Sequence, residues 1–244
     1  MRSAARHVLI LAFAICCLAS PALAQISTLR ITEAMSSSGV GGTADWWEVT
    51  NYGGSAVDIT GWKFDDMSFT SGSSVALNGV TSINAGESVA FLETTTLDSG
   101  TVATLIASFR TFWGGSAASA QIGYYAGSGI GLSSNGDGLV MFSGTTETTP
   151  RVTFGAATTG STFYYGYDAI GDPTTSPNTN AIVSTVGTLD GQSTFASATI
   201  STAQNIGSPG TAVAAVPEPS SVALLAIGAG AGVALVLRRS RRPS

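Results

Sequence analysis

Carboxylates are the side chains of this 244-residue sequence best suited to acid–base chemistry, because its one histidine and two cysteines all fall within the first 17 residues. Glu48 and Asp58 lie on successive predicted strands and could form the acid/base pair of a glycoside hydrolase. A solvent-exposed strand face explains both residues more simply. The sequence therefore predicts no catalytic residue, and a carboxylate-dependent hydrolase is kept as the less favoured alternative.

Oxygen-rich turns are a second place where chemistry could occur, since Ca²⁺ takes carboxylate, amide and carbonyl oxygens as ligands. Asp65 and Asp66 lie at a predicted strand end, and residues 135–138 read Asn-Gly-Asp-Gly. A loop site needs acids at alternate positions and a closing Glu, which neither stretch supplies. Residues 135–138 match a tight turn between strands instead. The sequence predicts no metal site.

Aromatic side chains are a third candidate, because aromatic faces exposed to water suit amphipathic ligands such as sugars. Period-2 alternation along residues 45–51 places Trp47 in the core and Trp46 on the opposite face. Trp62 is also assigned to the core. Trp46 and Tyr164 are therefore the candidate ligand-facing aromatics of a carbohydrate-binding module.

The composition of residues 25–215 excludes several classes of protein. This stretch has no cysteine and no histidine, so it can form neither a disulfide, a Ser-His-Asp or Cys-His site, nor an ordinary zinc site. Its four basic residues minus its 14 acidic residues give a net charge of −10. This charge disfavours nucleic acid as a partner. No cofactor is predicted.

Short alternating apolar runs separated by polar turns indicate many strands. Residues 29–33, 45–51 and 57–60 are predicted strands, with Gly61 allowing Trp62 and Phe64 to return to the core side. We expect one all-β domain over residues 25–212, a sandwich elaborated by long loops. The extra length lies at residues 97–125 and 142–201.

The N-terminus has the three parts of a secretory signal peptide. Arg2 and Arg6 precede an apolar run over residues 8–18, and Ala22-Leu23-Ala24 precedes Gln25. The run is too short to span a membrane, and the Ala-x-Ala site predicts cleavage between Ala24 and Gln25 by signal peptidase. Residues 1–24 are therefore predicted to be a signal peptide, and the chain is expected to be exported.

The last 32 residues, 213–244, also have three parts. An uncharged apolar run over residues 221–237 is near the lower length limit for a helix crossing a ~30 Å hydrocarbon layer. Basic residues after such a helix hold its end in the cytoplasm. The flanking residues are Pro217, Glu218 and Pro219 before the run and Arg238, Arg239, Arg241 and Arg242 after it.

This order of Pro-Glu-Pro, short helix and arginine cluster resembles the PEP-CTERM sorting signal of Gram-negative bacteria. The resemblance implies recognition by an exosortase, a membrane-embedded cysteine peptidase that removes the anchor and passes the protein toward the cell surface. It also implies a link with exopolysaccharide, because PEP-CTERM systems are associated with exopolysaccharide production. The alternative is a permanent single-pass anchor that follows an incidental Pro-Glu-Pro.

A second resemblance covers most of residues 26–211 and is to the lamin-tail domain. Its most specific part is a Trp-x-Glu strand, a glycine-containing turn and a Val-Asp-x-x-Gly-Trp strand. The blocks that carry it, in order, are residues 45–51, 57–66, 83–91, 132–142 and 206–210. The resemblance implies an immunoglobulin-like β-sandwich, flanked here by the signal peptide and the C-terminal transmembrane helix.

Together these observations predict a non-catalytic surface or extracellular-matrix protein. Its expected partners are signal peptidase, an exosortase, the inner membrane before processing and exopolysaccharide. A carbohydrate-binding module of the same matrix is the main alternative. That alternative requires an exposed aromatic pair, so the exposure of Trp46 decides it.

Overall fold

The computed structural model describes residues 28–39, 44–165, 181–185, 195–196 and 205–212. The predicted signal peptide and the apolar run over residues 221–237 lie outside these ranges. Within them, no helix has the length and apolar character needed to cross a membrane. The strands are β1 (Leu29–Met35), β2 (Trp46–Asn51), β3 (Val57–Asp58), β4 (Lys63–Asp65), β5 (Val75–Ala76), β6 (Ser82–Ile83), β7 (Ser88–Thr94), β8 (Ile122–Ala126), β9 (Asp137–Ser143), β10 (Thr146–Glu147), β11 (Val152–Phe154), β12 (Phe163–Tyr165), β13 (Ala181–Val183), β14 (Phe195–Ala196) and β15 (Ile206–Gly207).

The largest sheet has six strands in the order β13-β12-β1-β2-β7-β8. All its neighbours are antiparallel except β7 and β8, which run parallel. A parallel pair needs a crossover connection, and the one between β7 and β8 contains helix α1 (Ser99–Trp113) followed by a 3₁₀ helix (Gly115–Ala118). This crossover places helical residues over one face of the sheet.

A second sheet, β10-β9-β4-β5 with β11 also paired to β9, packs against the other face. The main hydrophobic core lies between the two sheets and joins Trp47 and Phe91 of the large sheet to Phe64 and Met141 of the smaller one. Trp47 lies 4.9 Å from Phe91 and 5.1 Å from Phe64 between ring centroids. The mainly β architecture of packed sheets that the sequence predicted is confirmed.

Alternation along β2 agrees with the sequence analysis. Trp47 and Val49 belong to the inter-sheet core, whereas Trp46 and Glu48 point to the opposite face. In β1 the register with β2 shifts between Ile31 and Glu33, which indicates a β-bulge. Because of this irregularity, Glu33 comes directly opposite Glu48.

Helix α1 corrects the prediction that residues 97–125 form an elaborated loop. The Asp98 carboxylate caps the helix by accepting a hydrogen bond from the Thr101 N–H at 3.0 Å. Its apolar side chains recur at helical spacing and form a second core on the outer face of the large sheet. The buried members of that core are Met35, Trp46, Ala90, Leu92, Phe109, Trp113, Ala117 and Ile122.

We predict that Phe109→Ala destabilises the protein by about 3–5 kcal/mol, because it removes a buried ring that packs edge-on against Trp46 at 5.6 Å. Ser108→Ala, at the exposed neighbouring position, is the matched control and should change stability by less than about 0.5 kcal/mol. Urea denaturation of both variants measures the difference. Equal effects would mean that α1 does not pack on the sheet as described.

Candidate functional site

Two buried carboxylates face each other on the outer side of the large sheet. Glu33 of β1 and Glu48 of β2 are direct cross-strand partners, and their exposed fractions are 1% and 0%. Like charges in directly opposed positions destabilise a sheet, and a buried carboxylate needs hydrogen-bond donors. The structure must therefore supply donors at this point.

The donors to Glu33 come mainly from residues 205–212, here called the closing segment. The Ser208 N–H lies 2.9 Å and 3.1 Å from the two oxygens of Glu33, and the Ser208 hydroxyl lies 3.1 Å from Oε2. The Thr162 hydroxyl donates to Oε1 at 2.5 Å. Since that hydroxyl has a single proton, the Ser184 hydroxyl must donate to Thr162 in their 2.7 Å contact.

Glu48 is satisfied in a similar way from two sides. The Gly210 N–H donates to Oε2 at 2.6 Å, and the Thr32 hydroxyl donates to Oε1 at 2.7 Å. Thr32 is in turn 3.0 Å from the Thr50 hydroxyl, which is 2.7 Å from the hydroxyl of Ser88. Because each hydroxyl has one proton, this chain donates in the direction of the carboxylate.

The sequence Ser208-Pro209-Gly210 suits this arrangement. Residues 208–211 form a turn, closed by a hydrogen bond from the Thr211 N–H to Ser208 O at 3.0 Å, in which Gly210 has a φ of +85°. The Ser208 N–H at the start of the turn reaches Glu33, and the Gly210 N–H within it reaches Glu48. Pro209 between them has no N–H that would need a partner. The closing segment thus presents its donors at the spacing of the two facing acids.

The closing segment is fixed at both ends. At its start, the Asn205 amide accepts a hydrogen bond from the Gly39 N–H and donates to the Ser38 hydroxyl, both at 2.7 Å. At its end, the Thr211 hydroxyl donates to the Ser116 hydroxyl of the 3₁₀ helix at 2.6 Å. Backbone bonds add to these contacts, since the Ile206 N–H donates to Gly160 O at 2.7 Å.

Gly207 shows how closely the segment approaches the sheet. A Cβ atom at this position would lie 2.7 Å from the Thr162 methyl group and 2.9 Å from Oε1 of Glu33. Real Cβ atoms essentially never make contacts under 3.0 Å. A larger side chain at this position would therefore force Thr162 or Glu33 to move.

This geometry leaves little room for the acid/base pair considered from the sequence. Glu48 was expected on a solvent-exposed strand face, and that expectation is wrong because the closing segment covers it. Asp58 is exposed on β3, which pairs only with β6 within the described residues. Hydrogen bonds from Thr60 hold the pKa of Asp58 below its usual value. A buried acid and an exposed acid in different sheets do not form a common cleft.

The oxygens considered for calcium bind backbone and hydroxyl donors. Oδ2 of Asp65 accepts from the Ser68 hydroxyl and the Thr70 N–H, both at 2.6 Å. Asp137 accepts from the Ser133 N–H at 2.7 Å and from the Met67 N–H at 3.1 Å. These carboxylates fix the loop that follows β4 and the loop that precedes β9. Within the described ranges, no cluster of three acidic, histidine or cysteine side chains could hold a metal ion.

The aromatic pair considered for sugar binding is not formed. Trp46 has an exposed fraction of 0% and packs edge-on against Trp113 at 5.6 Å, so the prediction that it faces a ligand is wrong. Its strand face was predicted correctly, but α1 covers that face. Tyr164 is half-buried on β12, beside Glu33 in the register of the sheet. Without Trp46, the carbohydrate-binding alternative loses its predicted surface.

A second pair of acids lies where β2 meets β7. The Glu93 N–H donates to Asp45 O at 2.8 Å, which brings the two residues side by side. Burial raises the pKa of Asp45 to about 6. Burial and the charge of Asp45 raise the pKa of Glu93. Burial and these two acids also raise the pKa of Tyr125, so its hydroxyl stays neutral.

The two packed sheets define a mainly β domain. The family model of the Lamin Tail Domain matches residues 23–156, more than half of the chain, and the chain belongs to this family. A PEP-CTERM protein-sorting motif matches residues 215–242. No curated protein and no solved structure gave a match. The residues of the sorting motif, including the Pro-Glu-Pro triplet and the arginines, lie outside the described ranges.

The closing segment was recognised in the sequence only as a typical ending of the domain. It lies beyond the family match, which ends at residue 156, whereas Glu33 and Glu48 lie within that match. Pro209 and Gly210 signal a turn in the sequence, and a turn does not by itself predict a carboxylate contact. Nothing in one sequence tells which acids, 162 to 175 residues earlier, its N–H groups would meet.

We predict that Glu33→Gln lowers the free energy of unfolding by about 1–3 kcal/mol, because the amide has one acceptor oxygen and presents an NH₂ group to existing donors. Glu147→Gln is the control, since the salt bridge from Glu147 to Arg151 is exposed and worth about 0–1 kcal/mol. Chemical denaturation compares the two. A loss for Glu33→Gln no larger than that of the control would contradict the role given to Glu33.

The raised pKa of Asp45 predicts a pH dependence of stability. Between the usual pKa of 3.8 and about 6, the folded protein binds more protons at Asp45 than the unfolded chain does, so stability falls as pH rises through this window. Asp45→Asn should flatten the slope and stabilise the protein above pH 6 by about 1 kcal/mol, a figure reduced for water screening.

Thermal unfolding between pH 4 and pH 7.5 measures this slope. Asp58→Asn is the control, because the pKa of Asp58 is lowered and its neutralisation should give no stabilisation above pH 6. A wild-type stability that rises with pH, with no change in slope for Asp45→Asn, would show that Asp45 is not desolvated in the folded protein.

Proposed function

We propose that this chain is an exported protein, cut by an exosortase at its sorting motif, that carries its Lamin Tail Domain to the cell surface or beyond as a non-catalytic binding or structural module. The observation that carries the proposal is the PEP-CTERM match at residues 215–242, which begins three residues after the closing segment ends. The Ala-x-Ala site at Ala24 supports export.

The use of acidic side chains supports the non-catalytic part of the proposal. Glu33, Glu48, Asp65 and Asp137 are buried and accept hydrogen bonds from the protein itself. A general acid or base must reach a substrate proton directly or through one water molecule. These carboxylates are committed to holding segments of the domain together.

A place in the extracellular matrix follows from the association of such sorting signals with exopolysaccharide. The stretch between the two predicted cleavage regions has a net charge of −10, which favours solubility and disfavours anionic partners. We propose that the domain acts as a protein component of this matrix, in contact with its polysaccharide.

Intact-mass analysis of the chain expressed in a Gram-negative host with and without its exosortase tests the proposal. With the peptidase, we expect an N-terminus at Gln25 and a C-terminus between Pro217 and Ser221. Without it, the arginine-rich end should be retained in the membrane fraction, as a permanent anchor would be.

Glu218→Ala is the matched variant, because it alters the sorting motif and leaves the folded domain untouched. It should reproduce the result of the host without exosortase. A mature protein that keeps Arg238 to Arg242 in the host with exosortase would contradict processing. Cell-surface fractionation then separates display from full release.

A further inference from the structure

We infer that the closing segment limits how far the sorting signal can lie from the folded domain. It stays hydrogen-bonded to Glu33 and Glu48 during processing, so that only residues 213–216 separate the folded domain from Pro217. This inference rests on the proposed function, because it concerns the same cleavage. It assigns a positioning role to the closing segment, which lies outside the family match at residues 23–156.

The first step is the strength of the attachment. Each buried carboxylate accepts an N–H from the closing segment, and hydrogen bonds to charged groups are among the stronger ones in proteins. Releasing the segment would leave Glu33 and Glu48 facing each other without these donors. The attached state is therefore the one in which the folded domain meets the membrane.

The second step is the length of chain that remains. Five Cα-to-Cα steps lead from Ala212 to Pro217, and they span at most about 18 Å whatever their conformation. The sorting motif therefore cannot move further than this from the end of the closing segment. A peptidase that binds several residues before the Pro-Glu-Pro triplet must work close to the domain.

The third step is the surface found at that point. The Thr211 side chain meets Ser116, and Gly210 packs beside Ala120, so the segment ends against residues 115–120, which are all small and uncharged. The nearby Arg110 donates to Ala120 O at 3.0 Å. An acidic domain that must approach an anionic membrane is repelled least through a neutral or basic face.

Processing of the full chain in a host with exosortase tests this inference. The measured quantity is the ratio of cut to uncut protein. Deletion of Val213 and Ala214, which precede the matched sorting motif, should slow cutting by about 10-fold or more, because the triplet is then held closer to the domain. Insertion of Gly-Ser-Gly-Ser after Ala212 is the control and should leave cutting at the wild-type rate.

Gly207→Val tests whether the attachment causes the block. Its side chain would collide with Thr162 and Glu33, so it should release the closing segment without changing the sheet. In the deletion background it should restore cutting to within about 3-fold of wild type. Rescue shows that the fastened segment held the triplet back, and a lack of rescue in a protease-resistant domain overturns the inference.

A disulfide provides a test that does not depend on a destabilised variant. The hydroxyl oxygens of Ser116 and Thr211 are 2.6 Å apart, so the two side chains point toward each other, and residues 25–215 contain no native cysteine. Ser116→Cys combined with Thr211→Cys should lock the segment in the oxidising periplasm. We expect the locked chain to be cut at the wild-type rate.

The outcomes separate the two proposals. If the wild-type chain is not cut, the proposed function fails. If the wild-type chain is cut but the deletion variant is cut equally fast, only the inference about the closing segment fails. If the locked chain is cut slowly and a reductant restores the rate, the segment must open for processing and the inference is overturned.

Discussion

The whole arrangement depends on the burial of two facing carboxylates in a sheet. Glu33 and Glu48 would repel each other at the centre of the outer face of the sheet if no donor met them. The closing segment meets each with a backbone N–H, and the hydroxyl groups of Thr162 and Thr32 also donate to them. Removing one partner from a buried charge costs more than the bond itself contributes, so these groups act as a unit.

This constraint explains how the outer face of the large sheet is divided. Its apolar part, around Trp46 and Leu92, is covered by α1, and its acidic part is covered by the closing segment. The 3₁₀ helix lies between these two covers, since Ala117 belongs to the second core and Ser116 bonds to Thr211. A face that alternation alone assigns to solvent thus becomes a second interior.

The sequence predicted the faces of the strands and missed what covers them. Period-2 alternation assigned Trp47 and Trp46 to opposite faces correctly, because successive side chains of a strand point to opposite faces of the sheet. The helix could have been found, since Val102, Phe109 and Trp113 recur at helical spacing after the cap at Asp98. Its position between two predicted strands favoured an extra loop instead.

The carboxylate site was out of reach for a different reason. The bulge between Ile31 and Glu33 sets the register that brings Glu33 opposite Glu48, and no local sequence feature fixes such a bulge. The partner segment lies 175 residues from Glu33 along the chain. Contacts at that separation depend on the tertiary fold. The periodic patterns of a single sequence report local structure and do not show such contacts.

That separation also gives the site a place in folding. The cost of closing a loop rises only slowly with its length, so a contact across 175 residues is affordable once both ends are preformed. The acceptor side of the contact, at Glu33 and Glu48, forms only after β1 and β2 have paired, because this pairing places the two acids next to each other. The site is therefore complete only after β1 and β2 have paired and the closing segment has docked on them. The sorting signal behind it then begins at most about 18 Å from the end of the closing segment.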